Sequence, residues 1–270
     1  MTVAWINDLG DGVADTLALT GRRIRQLRRS PGQLLAITLT PVTMVIVLGY
    51  LLNNAITLPG GTGYLDFMMA GVGAQVALTC FGTSAFAMAE DLGSGIVDRF
   101  RSLPIGRIPV LLAQSIADLM LTVVGLVIAS AVGWGLGWRI HAGFLSAAAA
   151  FGLLIALTFL LSWAGILVAL KVRNLPTVNS LSGIVLVAGS FLSTAFVPPT
   201  SLPGWLRPIA EWSPISTVVA ACRRLWGNPI ADTGTSLAVT HPAPIALVTM
   251  TLLLVAAVLL SSRLYRPATV

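Results

Sequence analysis

Five of the chain's few charged side chains, Glu90, Asp91, Asp98, Arg99 and Arg101, fall within residues 90–104, directly after an apolar run long enough to cross a bilayer. Carboxylates and arginines at this density suit one of two tasks: holding a metal and a phosphate, or meeting another protein. Asp91, Gly93, Gly95, Asp98 and Arg99 have the composition of a membrane phosphotransfer site. They lack its spacing, because no Asp-Gly pair occurs there and no second Asp-x-x-x-Asp follows to complete a carboxylate cage. Read as a helix, the same segment puts Ile96, Phe100 and Leu103 on one face at i, i+4 and i+7. Asp98, Arg99 and Arg101 point elsewhere. An apolar anchor edged with charge at a membrane exit reads as a docking surface.

Other reactive groups are sparse. A phosphate-binding loop needs a lysine after glycine to reach the nucleotide phosphates. The single lysine, Lys171, follows Leu170 in no glycine-rich setting, so this chain does not bind ATP in that way. His141 and His241 stand alone on outer connections, which excludes a zinc cluster of the usual ligand spacing. Cys80 lies in an apolar run and Cys222 in a loop-like stretch, a poor arrangement for a disulfide. Asp118, with Gln114 one turn before it, is an ionisable residue within an apolar run and therefore a candidate for function. It lies only about 14 Å along the helix from Pro109. The simpler reading is a carboxylate near the cytoplasmic end, paired with a basic partner or wetted by headgroup water. Gly133-x-x-x-Gly137, with Gly125 two turns earlier, permits close helix packing. No catalytic or metal site is expected, and no cofactor bound by this chain.

The elements that must position these residues are membrane spans. Hydrophobic residues make up 56% of the chain and charged ones 10%, against about 25% charged in soluble domains. A length of 270 residues holds about six spans of about 20 residues and leaves no room for a soluble catalytic domain. The net charge of +6 sits beside apolar runs, which points to anionic lipid headgroups and not to nucleic acid. No cleavable leader is expected, since the first apolar run starts only near Leu34 and lacks a small-residue cleavage site. The runs are 34–52, 67–89, 109–136, 144–170, 178–196 and 244–261, which together predict an all-α, six-span domain over 34–261.

Ahead of them, Trp5, Leu9, Val13 and Leu17 recur every four residues, and the arginines at 22, 23, 25, 28 and 29 follow, so 1–33 reads as an amphipathic surface helix. Six spans place both termini on one side, with 262–270 as a tail. Twelve of the sixteen basic residues then share that side, and only Arg139, Arg207, Arg223 and Arg224 lie opposite. The positive-inside rule makes the richer side cytoplasmic. Trp134, Trp138, Trp205, Trp212 and Trp226 gather outside, as an interfacial belt would. Residues 197–243, punctuated by Pro198-Pro199, Pro203-Gly204 and Pro214, read as short helices at, or dipping into, the outer leaflet.

Glu90, Gly95, Asp98-Arg99 and Ser102-Leu103-Pro104, with Arg107 behind them, resemble the end of the second span in membrane subunits of type-2 ABC exporters. Phe196-Val197-Pro198, Leu202 to Leu206 and Pro214-Ile215-Ser216 resemble that family's segment after the fifth span. The order and spacing match over almost the whole chain, most closely the daunorubicin-resistance type of actinobacteria. Asp91 departs from the pattern, since many relatives carry a basic residue there.

The resemblance implies a plasma-membrane permease that forms half of a transmembrane dimer, homo- or heterodimeric, above separate ATPase subunits that hold ATP and magnesium. Residues 90–104 would be the coupling helix. Ile96, Phe100 and Leu103 would anchor it, Asp98, Arg99 and Arg101 would set register, and Glu90 would pair with one of the arginines at 22–29. Cargo would leave through a cavity at the dimer interface lined by spans two and five, with Phe191, Phe196 and Val197 at its outer end. An apolar lining predicts hydrophobic or amphipathic cargo, a drug or lipid. A permease for lipid-linked polysaccharide would want a wider, more aromatic channel, and an ion-coupled transporter would want paired intramembrane charges.

Overall fold

The computed structural model describes residues 20–21, 31–52, 63–95, 107–196, 203–228 and 237–264. Every regular element among them is a helix. The long ones are α1 (Pro31–Leu52), α2 (Tyr64–Gly93), α3 (Arg107–Gly135), α4 (Phe144–Val172) and α5 (Leu175–Phe191). Three short helices follow, α6 (Arg207–Trp212), α7 (Pro214–Trp226) and α8 (Leu237–Thr240), before α9 (Pro242–Leu264) closes the chain. By length and composition, α2, α3, α4 and α9 can each cross a bilayer, and α5 is a shorter apolar helix. The chain is an integral membrane protein whose described elements are all helical.

Each apolar run lies on a helix over most of its length, and local chemistry sets several of the ends. Pro31 opens α1, where a missing N–H costs nothing. Asn174 caps α5 by accepting the Thr177 N–H at 3.0 Å, with Pro176 in the first turn. Gly227 ends α7 in the left-handed conformation. The fifth run departs from expectation. Its helix starts at Leu175 and stops at Phe191, and residues 192–196 form turns. Side chains compete for the backbone there: Ser193 Oγ donates to the Ser190 carbonyl at 3.0 Å, and Ser216 Oγ accepts the Thr194 N–H at 3.0 Å.

The bundle is arranged around α2. Its apolar window is 78% buried, compared with 17% for α9 on the periphery, and α4, α5, α3 and α1 all pack on it. Such crowding needs small residues at the crossings. A Cβ on Gly165 of α4 would lie 2.3 Å from the Phe81 carbonyl oxygen, and one on Gly71 would lie 2.3 Å from that of Ala195. Of the glycines read on α3, Gly133 abuts Met69 of α2, where a Cβ would lie 2.6 Å from the methionine methyl. Gly137 instead takes a positive φ of 111° beyond the helix end.

Arg223 of α7, read as one of four basic residues opposite the arginine-rich side, is not a surface cation. It is fully buried. Its Nε donates to the Phe67 carbonyl at 3.0 Å, and Nη2 donates to the carbonyls of Thr194 and Ala195 at 3.0 and 2.8 Å. The guanidinium also stacks 3.6 Å from the Phe67 ring centroid. One side chain thus ties α7, the start of α2 and the turn after α5. The aromatic belt divides in the same way. Trp134, Trp205 and Trp212 are exposed, but Trp138 and Trp226 are buried edge-to-face at 5.1 Å. Around them, the Trp226 carbonyl accepts the His141 N–H at 2.9 Å, and Asn228 Nδ2 donates to the Asp66 carbonyl at 3.1 Å.

Two outcomes follow for the purified protein. Gly165→Ala forces α4 off α2 and should lower unfolding stability by about 1–3 kcal/mol, whereas Gly152→Ala, with nothing within 4 Å, should leave it unchanged or slightly raised. Arg223→Ala strands three carbonyls at about 1–3 kcal/mol each, so the thermal midpoint should fall further than for Gly165→Ala. Limited proteolysis should then cut first between residues 192 and 228.

Candidate functional site

The first four residues of the segment read as a coupling helix over 90–104 belong to α2. Glu90 and Asp91 belong to the last turn of α2, which runs on to Gly93. Glu90 is exposed. Its carbonyl accepts the Ser94 N–H at 2.9 Å, and Gly95, at φ 73°, turns the chain away. Ile96, Asp98, Arg99, Phe100, Arg101 and Leu103 lie outside the described residues, as do the arginines at 22–29 offered as partners for Glu90. Just ahead of that cluster in sequence, the Thr20 hydroxyl donates to the Ala113 carbonyl of α3 at 3.4 Å.

Above this end of α2 the structure brings together a polar cluster that the sequence shows only in part. Asp118 is buried at 1% exposure, which removes it from headgroup water. The Ser84 hydroxyl of α2 donates to Asp118 Oδ2. That hydroxyl lies 2.9 Å from Ser162 Oγ of α4, which lies 3.0 Å from Ser115 Oγ of α3. Gln114 Nε2 donates to the Ser84 carbonyl at 2.7 Å, and Cys80 Sγ lies 3.7 Å from Ser84 Oγ. Helical spacing assembles the set: Cys80 and Ser84 are one turn apart on α2, and Gln114, Ser115 and Asp118 share a face of α3. In a low-dielectric interior such bonds reinforce one another. The cluster joins three helices about 14 Å along α2 from its end at Gly93. Among the described residues, no group of three or more His, Cys, Asp or Glu side chains converges on one point.

The residues read as a substrate path do not face one way. Phe191, at the end of α5, is 66% exposed. Phe196 is buried against Gly71, and its carbonyl accepts the Tyr64 hydroxyl at 3.2 Å. Val197 lies outside the described residues. Cys80 and Cys222 are both buried free thiols. His141 Nδ1 lies 3.3 Å from Asn228 Oδ1.

Sequence reasoning missed Ser84, Ser115 and Ser162 because serines within apolar runs ordinarily satisfy themselves on the preceding turn. It missed Arg223 because Arg223-Arg224 reads as a charged pair. The signal was present all the same: Val219, Cys222, Arg223 and Trp226 share one face of a 13-residue helix, and that face is the buried one.

The ABC-2 type transporter family profile matches residues 14–225. The chain is similar to the daunorubicin resistance ABC transporter permease protein DrrB1 of Streptomyces coeruleorubidus, with 30% identity over 213 residues, 79% of this chain and 75% of the relative. It is also similar to the probable doxorubicin resistance ABC transporter permease protein DrrC of Mycobacterium tuberculosis strain H37Rv, at 25% identity over 81% of this chain and 79% of that one. The doxorubicin resistance permease DrrB of the same strain is 32% identical over 54% of this chain and 50% of its own length. With four bilayer-length apolar helices around a polar-jointed spine, and a family match from the N-terminal segment through α7, this chain is a permease of the ABC-2 type transporter family.

Proposed function

We propose that this chain is the membrane-spanning subunit of an exporter that moves hydrophobic or amphipathic cargo, a drug or a lipid, outward across the plasma membrane, with a separate ATPase supplying the energy. The similarity to the daunorubicin resistance permease, over 79% of this chain, carries the reading. An ATPase partner is the rule for permeases of this family.

The proposed span set is α1, α2, α3, α4, α5 and α9, with both termini cytoplasmic and α6 to α8 in the outer leaflet. The arginine asymmetry supports it, with twelve basic residues on the cytoplasmic side against four outside. The permease works as half of a dimer, beside an identical or related chain. Exposed apolar residues on α5, Ile184, Val187 and Phe191, and on α9, Leu252 and Val255, are available to lipid or to that second permease.

The segment 90–104, which starts in the last turn of α2, carries the docking element. Phe100, with Ile96 and Leu103, fills an apolar groove on the ATPase, and Asp98, Arg99 and Arg101 fix register against charged groups around it. Closure of two ATPases on ATP pushes this element, and α2 carries the push inward, past the Ser84–Asp118 joint.

Copurification of the permease with its ATPase, followed by a search for compounds that stimulate ATP hydrolysis, tests the assignment, with daunorubicin as the first probe. Phe100→Ala should weaken permease–ATPase association by about tenfold or more and reduce transport accordingly, with the helical content and unfolding midpoint of the permease unchanged. Wild-type transport by that variant would remove the docking role from this segment.

A further inference from the structure

At the boundary of α1 and α2 lies a cavity of about 600 Å³, within the size range of small-molecule sites. Thr40, Thr43, Met44 and Val47 line it from one face of α1 at i, i+3, i+4 and i+7, with Leu39 and Leu48 beside them. Gln75 is the described lining residue on α2. It is only 8% exposed. At 1.5 Å per residue it lies about 16 Å from the start of α2 and about 22 Å from Glu90, so it sits within a hydrocarbon core about 30 Å thick. Lipid tails at that depth carry no hydrogen-bonding groups, and a polar group left unmatched there costs free energy.

The Gln75 amide is half matched. The Ser190 hydroxyl of α5 donates to Gln75 Oε1, which engages the carbonyl within the protein and fixes which end of the amide is left. Nε2 donates to no acceptor among the described residues. It is also not sealed inside the fold, as the Trp163 and Trp226 indole nitrogens are. The nitrogen opens on the cavity that Gln75 lines, and its N–H groups can only donate. The threonine hydroxyls across the cavity can donate or accept, so they add polarity without choosing.

We infer that the α1–α2 cavity is a cargo site in which Gln75, held by Ser190, donates a hydrogen bond through Nε2 to a carbonyl oxygen on an otherwise apolar molecule. This rests on the export reading and narrows its cargo class. Leu39, Met44, Val47 and Leu48 give the described lining an apolar surface, which suits a hydrocarbon or aromatic body. The Gln75 N–H meets no acceptor on lipid tails, so a ligand that brings one gains a hydrogen bond that the surrounding bilayer does not offer. Lipid esters carry the same carbonyl chemistry, but they sit at the edges of the hydrocarbon core, away from the depth of Gln75. Gln75 is the specificity-determining residue. Ser190 is a positioning residue, since without its hydroxyl the amide is free to present either end.

The test uses the full chain with its ATPase in lipid nanodiscs and compares benzophenone with diphenylmethane. The two share a pair of rings, but only benzophenone has a carbonyl oxygen. Titration of the thermal midpoint gives apparent affinities, and comparing variant with wild type for each ligand cancels its partition into the bilayer. Gln75→Met, close in size and shape, should weaken benzophenone by about fivefold, the worth of one neutral hydrogen bond, and leave diphenylmethane unchanged. Ser190→Ala should weaken benzophenone part of the way, and it covers the case in which the Met variant does not fold. Irradiated benzophenone should label residues 39–48 of the wild type. Equal changes for the two ligands in both variants, or labelling only elsewhere, overturn the inference. Nanodiscs of ether-linked lipid, which lacks the ester carbonyl, should leave the benzophenone affinity as it is. A several-fold gain there gives the site to lipid and overturns the cargo assignment. Daunorubicin-stimulated ATP hydrolysis is measured in the same preparations. If it is absent while the Gln75-dependent discrimination holds, the drug-export reading falls and the site stands. If it is present without that discrimination, the export reading stands and Gln75 loses its role.

Discussion

Helices in lipid gain little from the hydrophobic effect when they meet, because the acyl chains they leave are as apolar as the side chains they reach. Close backbone approach and hydrogen bonds must therefore hold them. This constraint explains why α2 is the least apolar of the four bilayer-length helices and also the most buried. Its neighbours reach it through Gly165 and Gly133, and its own Gly71 admits the Ala195 carbonyl. At those contacts, van der Waals attraction along touching backbones takes the place of a driving force that the membrane does not provide.

Two polar joints fix α2, one towards each end, and they solve different problems. At the start of the helix, chain irregularity frees backbone carbonyls: α5 has stopped, and Thr194 and Ala195 lack helical partners. A guanidinium with five donors in a fixed fork answers several carbonyls at once, which a lysine does not. Towards the other end the helices are regular, and no backbone needs rescue. There the bonds run between side chains, Ser84 to Asp118 and onward to Ser162 and Ser115. Each joint links α2 to two other elements, so removing it would loosen a block and not a pair.

The helices themselves were legible in the sequence because lipid leaves the chain little choice: an apolar run of bilayer length must be helical, since its backbone has no water to bond. The ends of those runs were less so. Apolar composition continues through Phe196, but the helix stops at Phe191 because Ser193, Ser216 and Arg223 take over the backbone groups of the next residues. Local composition cannot show that, as two of the three partners lie more than 20 residues away. Asp118 was visible as an oddity, yet its partners sit on α2 and α4, and only tertiary packing names them. Trp138 and Trp226 carry the composition of an interfacial belt but pack on each other, a distinction that hydropathy does not contain. The docking residues are the reverse case. Period and charge pick out residues 96–104 in the sequence, and their support lies in family resemblance.

On the proposed reading, these joints also restrict how a push from the ATPase can act. α2 ends at Gly93, so force from the docking segment enters at its exposed last turn near Glu90 and meets the Ser84–Asp118 joint first. Because that joint binds α3 and α4 to α2, and Arg223 binds α7 to it, tilting α2 alone would break buried hydrogen bonds at both places. It costs less to move the whole block, α2 with α3, α4 and α7, against whatever is less firmly tied to it. The α1–α2 boundary is such a place: an open cavity lies along it and its wall is apolar. A rigid block moving against α1 would change the width of that cavity without breaking either joint. The Gln75–Ser190 bond ties α5 to α2 as well, so α5 moves with the block. Release of cargo can then be a change in the relation of α1 to the block, with the two polar joints intact throughout.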